Sequence, residues 1–267
     1  MASTVERTAN IRGQQLHIRL DGREGAPWLI FSNSLATDLH LWDSQIGPLA
    51  NNWRILRYDY RGHGASAASI DPICDVNVLA DDLLGVIDSI GATRVCHVGV
   101  SMGSVAGAAA AIRMREKFAS LVVCNSRLRS TESSSADLRR RAEIALHSGM
   151  QELVEPTLQK WFGQARLPFD RPARQQVANM IASTRPTDFA AYAKGMGNYD
   201  LEDRMAALPV KLALLAGSDD GTIQDEFRAL SVRHPKMRCI LIEGAGHLPN
   251  IQVPTEFNAA LAHLIGK

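Results

Sequence analysis

Gly99-Val100-Ser101-Met102-Gly103 sets a serine between two glycines, directly after the apolar run Arg94–Val98 and directly before the small-residue run Ser104–Ile112. A strand that passes into a helix through so tight a turn exposes the serine Oγ, and the flanking glycines remove the side chains that would collide there. A hydroxyl is a weak nucleophile until a base takes its proton, so the chain must also supply a histidine and a carboxylate to orient it. Late in the chain, His234 closes a helical pattern in a His-Pro pair, whereas His247 lies in Glu243-Gly-Ala-Gly-His-Leu-Pro249, a glycine-containing loop after an apolar run. That loop suits a positioned but mobile imidazole, so His247 is the expected base. The acid is expected one loop earlier, in Leu214-Leu-Ala-Gly-Ser-Asp-Asp-Gly221, where Asp219 and Asp220 are adjacent. Adjacent side chains point in different directions, so one of them orients the imidazole and the other is a solvated turn residue.

These residues need a scaffold that brings three distant loops together. Candidate strands are Gln15–Leu20, Trp28–Ser32, Trp53–Tyr58, Arg94–Val98 and Ser120–Cys124, and later Val210–Ala216 and Met237–Glu243. Between them Val76, Leu79, Leu83, Ile87 and Ile90 recur at steps of three and four, and helices are also predicted over Gln224–His234 and Thr255–Leu264. Alternating strands and helices predict a mostly parallel sheet with helices on both faces. Residues 126–205 break the rhythm, being polar, helical and without an evident strand. The predicted organisation is a core of residues 1–125 and 206–267, with 126–205 inserted as a helical cap over the carboxyl ends of the strands, where a ligand cleft forms.

Composition narrows the function. The 267 residues are 46% hydrophobic and 21% charged, and 29 Lys+Arg against 28 Asp+Glu leave a formal charge of +1. No excess of cations could neutralise a run of phosphates, which argues against a nucleic-acid partner. The longest apolar runs fall short of the roughly 20 residues of a membrane span, and the start Met-Ala-Ser-Thr-Val-Glu-Arg lacks the basic and apolar regions of a secretory leader. Cys74, Cys96, Cys124 and Cys239 are dispersed, with no metal-ligand spacing; three lie in apolar runs as small buried hydrophobes. The expectation is a cytoplasmic enzyme that uses neither metal nor cofactor and acts on a small molecule. Its oligomeric state is open.

Longer motifs extend the reading. Phe31-Ser-Asn-Ser-Leu-Ala-Thr-Asp-Leu-His-Leu-Trp42, Leu56-Arg-Tyr-Asp-Tyr-Arg-Gly-His-Gly-Ala-Ser66, Val123-Cys-Asn-Ser126, Lys160-Trp-Phe162 and His247-Leu-Pro-Asn250 resemble segments of the 3-oxoadipate enol-lactonases, within the α/β-hydrolase superfamily. The resemblance implies an α/β-hydrolase fold of about eight strands with a helical cap after the sixth. It implies Ser101 as nucleophile, Asp220 as the acid through Gly-x-x-Asp, and His247 as base, with the backbone N–H groups of Leu35 and Met102 as oxyanion hole. Ser34, Arg129 and Trp161 are implied as substrate-binding residues, Arg129 as a cation for a substrate carboxylate. His63 and Arg61 are expected to brace the cleft entrance. The chain departs from the pattern at Ala36 and Ser104, where the family has glycine, in Gly221-Thr-Ile-Gln after the acid, and in lacking the tryptophan that many enol-lactonases carry shortly after the sixth strand. The triplet Arg139-Arg140-Arg141 reads as a solvated helix face. The expected activity is hydrolysis of a lactone or ester of a small, carboxylated substrate; a general carboxylesterase, a carbon–carbon bond hydrolase and a ligand receptor with residual turnover are the alternatives, since fold alone does not select among them.

Overall fold

The computed structural model describes residues 4–163, 165, 166 and 168–266; Met1, Ala2 and Ser3, part of the stretch inspected for a leader, lie outside them. Eight strands form one sheet: β1 (Val5–Ile11), β2 (Gln14–Gly22), β3 (Trp28–Ser32), β4 (Arg54–Tyr58), β5 (Val95–Val100), β6 (Phe118–Cys124), β7 (Lys211–Gly217) and β8 (Arg238–Ile242). Their order is β1-β2-β4-β3-β5-β6-β7-β8. The β1–β2 and β2–β4 pairs are antiparallel, and every pair from β4 through β3 to β8 is parallel. Covered on both faces, the central strands read as unbroken apolar runs, such as Leu29, Ile30 and Phe31 in β3, all fully buried.

Among the described residues six α-helices belong to this core: α1 (Asp43–Leu49), α2 (Val76–Ser89), α3 (Met102–Arg113), α9 (Ile223–Arg233), α10 (Pro249–Gln252) and α11 (Pro254–Ile265). Five more, α4 (Glu132–Ser148), α5 (Gln151–Phe162), α6 (Arg171–Ser183), α7 (Pro186–Gly195) and α8 (Glu202–Ala206), lie between β6 and β7. Local sequence explains several boundaries. Asp75 caps α2 by accepting from the N–H groups of Asn77 and Val78, Thr131 and Ser134 form a reciprocal cap on α4, and prolines occupy the first turns of α6, α7, α10 and α11. The one strand that the periodicity does not predict is β1, whose residues are mostly exposed and whose hydrophobic alternation is weak.

Beneath the β5–α3 turn lies a buried polar chain. The Ser32 Oγ is 2.8 Å from His97 Nε2 and 3.0 Å from the Tyr58 hydroxyl. Burial pushes the His97 pKa down to about 3, well below the roughly 6.5 of an unfolded chain. The folded state therefore binds fewer protons than the unfolded one as pH falls, so this stability is complete above about pH 6.5 and is lost progressively toward pH 3. His63, also fully buried, is lowered by the same cause and acts with the same sign. Acidification from pH 7 to 4.5 is expected to shift the urea midpoint downward, with His97 contributing a little over 1 kcal/mol per pH unit. His97→Gln should show a shallower pH slope than the wild type; an unchanged slope would remove His97 from the account.

Candidate active site

The β5–α3 turn is shaped by close contact. A Cβ on Gly99 would lie 2.3 Å from the carbonyl group of Gly103, and one on Gly103 would lie 2.2 Å from the Ser32 carbonyl oxygen. With both clearances kept, Ser101 is held at φ 55° and ψ −118°, a conformation that costs an ordinary side chain of order 1–3 kcal/mol. Its neighbours over-determine it: the Ser101 N–H donates to the Cys124 carbonyl at 2.9 Å, and the Ser126 hydroxyl donates to the Ser101 carbonyl at 2.9 Å. Ser104 adds a tie. Its hydroxyl donates to the Gly99 carbonyl at 2.5 Å and accepts from the Cys124 N–H at 3.0 Å, pinning α3 to β6.

His247 stands on the loop after β8, with Nδ1 2.8 Å from Asp220 Oδ2. An Nδ1–H donated to a carboxylate leaves Nε2 as the lone-pair nitrogen, the tautomer that a base for serine requires. The same Oδ2 accepts from Asn125 Nδ2 at 2.9 Å, and that amide also reaches the Gly246 carbonyl. Trp161, at the end of α5, holds His247 twice: its carbonyl accepts the His247 N–H at 2.9 Å, and its indole stacks on the imidazole with centroids 5.4 Å apart and planes 21° from parallel. Asp219 turns away. Bonds from Arg166 hold its carboxyl down to about 2, at the protein surface. Of the other late histidines, His234 ends α9 and His263 sits on α11 beside Arg238; neither lines the cavity described below.

The two residues expected to supply the oxyanion-hole N–H groups, Leu35 and Met102, come from different elements and line the same cavity as Ser101. Met102 opens α3, so its N–H has no carbonyl partner within the helix and carries the positive end of the helix dipole. Leu35 lies in the loop after β3, followed by Ala36 at φ 62°, a left-handed conformation that favours glycine. His63 supports this loop: its Nε2 accepts from the Ala36 N–H at 3.2 Å and its Nδ1 bonds the Arg61 carbonyl at 2.9 Å, which requires a neutral ring. Arg61 is itself anchored by Asp82 at 2.7 Å and by Asp71. Both residues thus brace the loop.

A cavity of about 780 Å³ opens between core and cap, and Ser34, Leu35, Ser101, Met102, Trp161, Asp220 and His247 all line it. The Ser34 Oγ is buried there with no hydrogen-bond partner among the described residues. Arg129 is a correction. It lies outside the lining, half exposed, with Nε 2.9 Å from Asp200 in a two-residue bridge that ties the start of the cap to its end. The arginine triplet is corrected in part: Arg139 and Arg140 are exposed and paired with Glu132 and Asp137, but Arg141 turns inward, 8% exposed, and lines the cavity. Motif reading passes over Arg141, and over the bonds that Asn125 and the Trp161 carbonyl make within segments it does pick out. Arg141 had a signal, since it shares the buried stripe of α4 with Leu138, Ala142 and Ala145 at steps of three and four.

The strand order, the strained serine turn, the His–Asp pair after β8 and β7, and the cap after β6 together define an α/β hydrolase. A sequence profile described as "Alpha/beta hydrolase family" matches residues 25–260, and the chain belongs to that family. Among its relatives, 3-oxoadipate enol-lactonase 1 of Acinetobacter baylyi is 27% identical over 93% of this chain and 92% of its own. The crystal structure of the enol-lactonase from Burkholderia xenovorans LB400 superposes with a TM-score of 0.88 at 27% identity, covering 98% of this chain and all of that one. A thermophilic esterase from Thermogutta terrifontis, in a malate-bound structure, superposes at 0.85 with 26% identity, over 99% and 98% of the two chains. The protein is a hydrolase that acts on ester bonds. Among the described residues, no helix is long and apolar enough to cross a membrane.

The two aspartates are separable. Asp220→Asn is expected to lower turnover by roughly four orders of magnitude, because an amide favours the wrong imidazole tautomer. Asp219→Asn, which loses a surface pair with Arg166, is expected to stay within about threefold of wild type, since exposed pairs contribute little. Steady-state kinetics on any ester that the enzyme accepts will rank them; the reverse order would move the acid to Asp219.

Proposed function

We propose that the protein hydrolyses a lactone or ester of a small, carboxylated substrate through an acyl-enzyme on Ser101. What carries the reading is the 2.8 Å bond from His247 Nδ1 to Asp220, on the wall of the cavity that Ser101 also lines. His247 Nε2 takes the Ser101 proton as Oγ attacks the carbonyl carbon. The tetrahedral oxyanion is held by the N–H groups of Leu35 and Met102, each such donor being worth about 3 kcal/mol. On collapse the leaving oxygen receives the proton from His247. In a lactone that oxygen stays tethered to the acyl group, so ring opening leaves one chain on Ser101. Water, deprotonated by His247, then attacks the acyl carbon, and Ser101 departs with its proton restored.

The carboxylated substrate rests on the relatives, two of them enol-lactonases and one an esterase with malate bound, and on the size of the cavity, which suits a small acyl group better than a polymer. Ser101→Ala is expected to reduce turnover roughly a millionfold while leaving the melting temperature near the wild-type value, since the glycines that shape the turn remain. A serine-directed phosphonate should add once per chain, at Ser101, as located by peptide mass spectrometry. An adduct elsewhere, or an alanine variant with near-wild-type turnover, would overturn the mechanism.

A further inference from the structure

Three cations line the cavity among the described residues: Arg127, Lys160 and Arg141. Two are already engaged. Arg127 pairs with Glu226 and donates to Thr222, and Lys160 Nζ is 2.7 Å from Asp137. Arg141 differs. Its guanidinium donates to the Thr157 hydroxyl at 2.9 Å and lies over the Phe189 ring, 5.4 Å from the centroid, and no carboxylate among the described residues is within ion-pair distance of it. Asp137, one turn earlier on the same helix, is occupied by Arg140 and Lys160.

A buried guanidinium without a counter-charge is costly, and natural structures keep one where it pairs with something. Here α4 carries it, α5 supplies its hydroxyl and α7 supplies the aromatic face, so three cap helices fix its plane. One of its five N–H donors is spent on Thr157, which leaves donors for a ligand in the cavity that the residue lines. We propose that Arg141 is the carboxylate-binding residue of the site, receiving the substrate's anionic group in a two-pronged pair while the scissile carbonyl lies against Ser101. This rests on the ester- and lactone-hydrolase reading above and assigns its charge selectivity to one side chain. The cap, by this account, selects the substrate's charge, and the core performs the chemistry. Burial lowers the Arg141 pKa, and a bound carboxylate would offset that cost.

The test uses a five-membered lactone bearing a free carboxymethyl arm and its neutral counterpart with a primary amide in that place. The wild type is expected to prefer the acid by at least about tenfold in kcat/KM. Arg141→Met should lose roughly ten- to a hundredfold on the acid, mainly in KM, and less than about threefold on the amide. Arg141→Lys should recover only part of the loss, since an ammonium lacks the planar fork, and Arg129→Ala should leave both substrates unchanged. A folded Arg141→Met that loses both substrates equally, or a wild type indifferent to the charge, would overturn the proposal. Calorimetric binding of hexanoate and hexan-1-ol to the wild type needs neither a variant nor turnover. Hexanoate bound at least about tenfold more tightly supports the assignment; equal or undetectable binding of the two overturns it. An enzyme that binds hexanoate selectively yet opens neither lactone would refute the lactonase reading and leave the Arg141 site standing.

Discussion

The contact on which the site depends is the approach of the first turn of α3 to the end of β3, where the backbone of Gly103 lies against the Ser32 carbonyl. No side chain fits between them, so the chain leaving β5 must reverse within a residue, and Ser101 takes the strained conformation as a result. The same approach brings the N-terminus of α3 beside the loop after β3. Met102 and Leu35 thereby line one cavity with Ser101, the Leu35 loop being braced from its other side by His63. Strain of this kind persists only where neighbours oppose its release. The carbonyl of Cys124 and the hydroxyls of Ser104 and Ser126 do this, Ser104 from α3, Cys124 from the end of β6, which pairs with β5, and Ser126 from the loop that follows β6.

The cap is held to the core on both sides of the cavity. On one side the loop through Gly62, His63 and Gly64 meets α7: Asp188 accepts from the Ser69 N–H at 2.8 Å, and the Arg185 side chain donates to the Ser66 carbonyl at 3.1 Å. His63 extends that contact to the Ala36 N–H, so the packing of α7 and the position of the Leu35 loop are parts of one chain of bonds. On the other side Trp161 meets His247. The cap therefore touches the surroundings of both the Leu35 loop and His247.

Local patterns revealed the parts of the fold and site that local forces create. The central strands were legible because burial on both faces demands uninterrupted apolar residues, and the serine turn because only glycine tolerates its clearances. The edge strand β1 was not, since its ordering comes from pairing with β2 and not from a buried face of its own. Asp220 could be separated from Asp219 by motif but not by physics until Arg166, 53 residues away in the chain, was seen to hold the latter. Arg129 and Arg141 show the limit most plainly. A guanidinium's role depends on which carboxylates reach it, and Asp200, which meets Arg129, is brought there by the return of the cap to the core. Arg141 sat on the apolar stripe of α4, but a run of three arginines obscured a periodicity that a single one would have shown.

The bond from the Trp161 carbonyl to the His247 N–H is made by backbone alone, so it does not depend on which residues the two helical and loop segments carry. Its consequence concerns exchange between relatives. A foreign cap grafted between β6 and β7 would have to bring a helix ending at the height of the histidine loop, whatever its sequence, or the transplanted enzyme would gain a new specificity pocket at the expense of an unsupported base. Diversification of this lid is thus constrained in its path and free in its chemistry: side chains along α4 and α5 can vary with the substrate, while the place where α5 stops cannot.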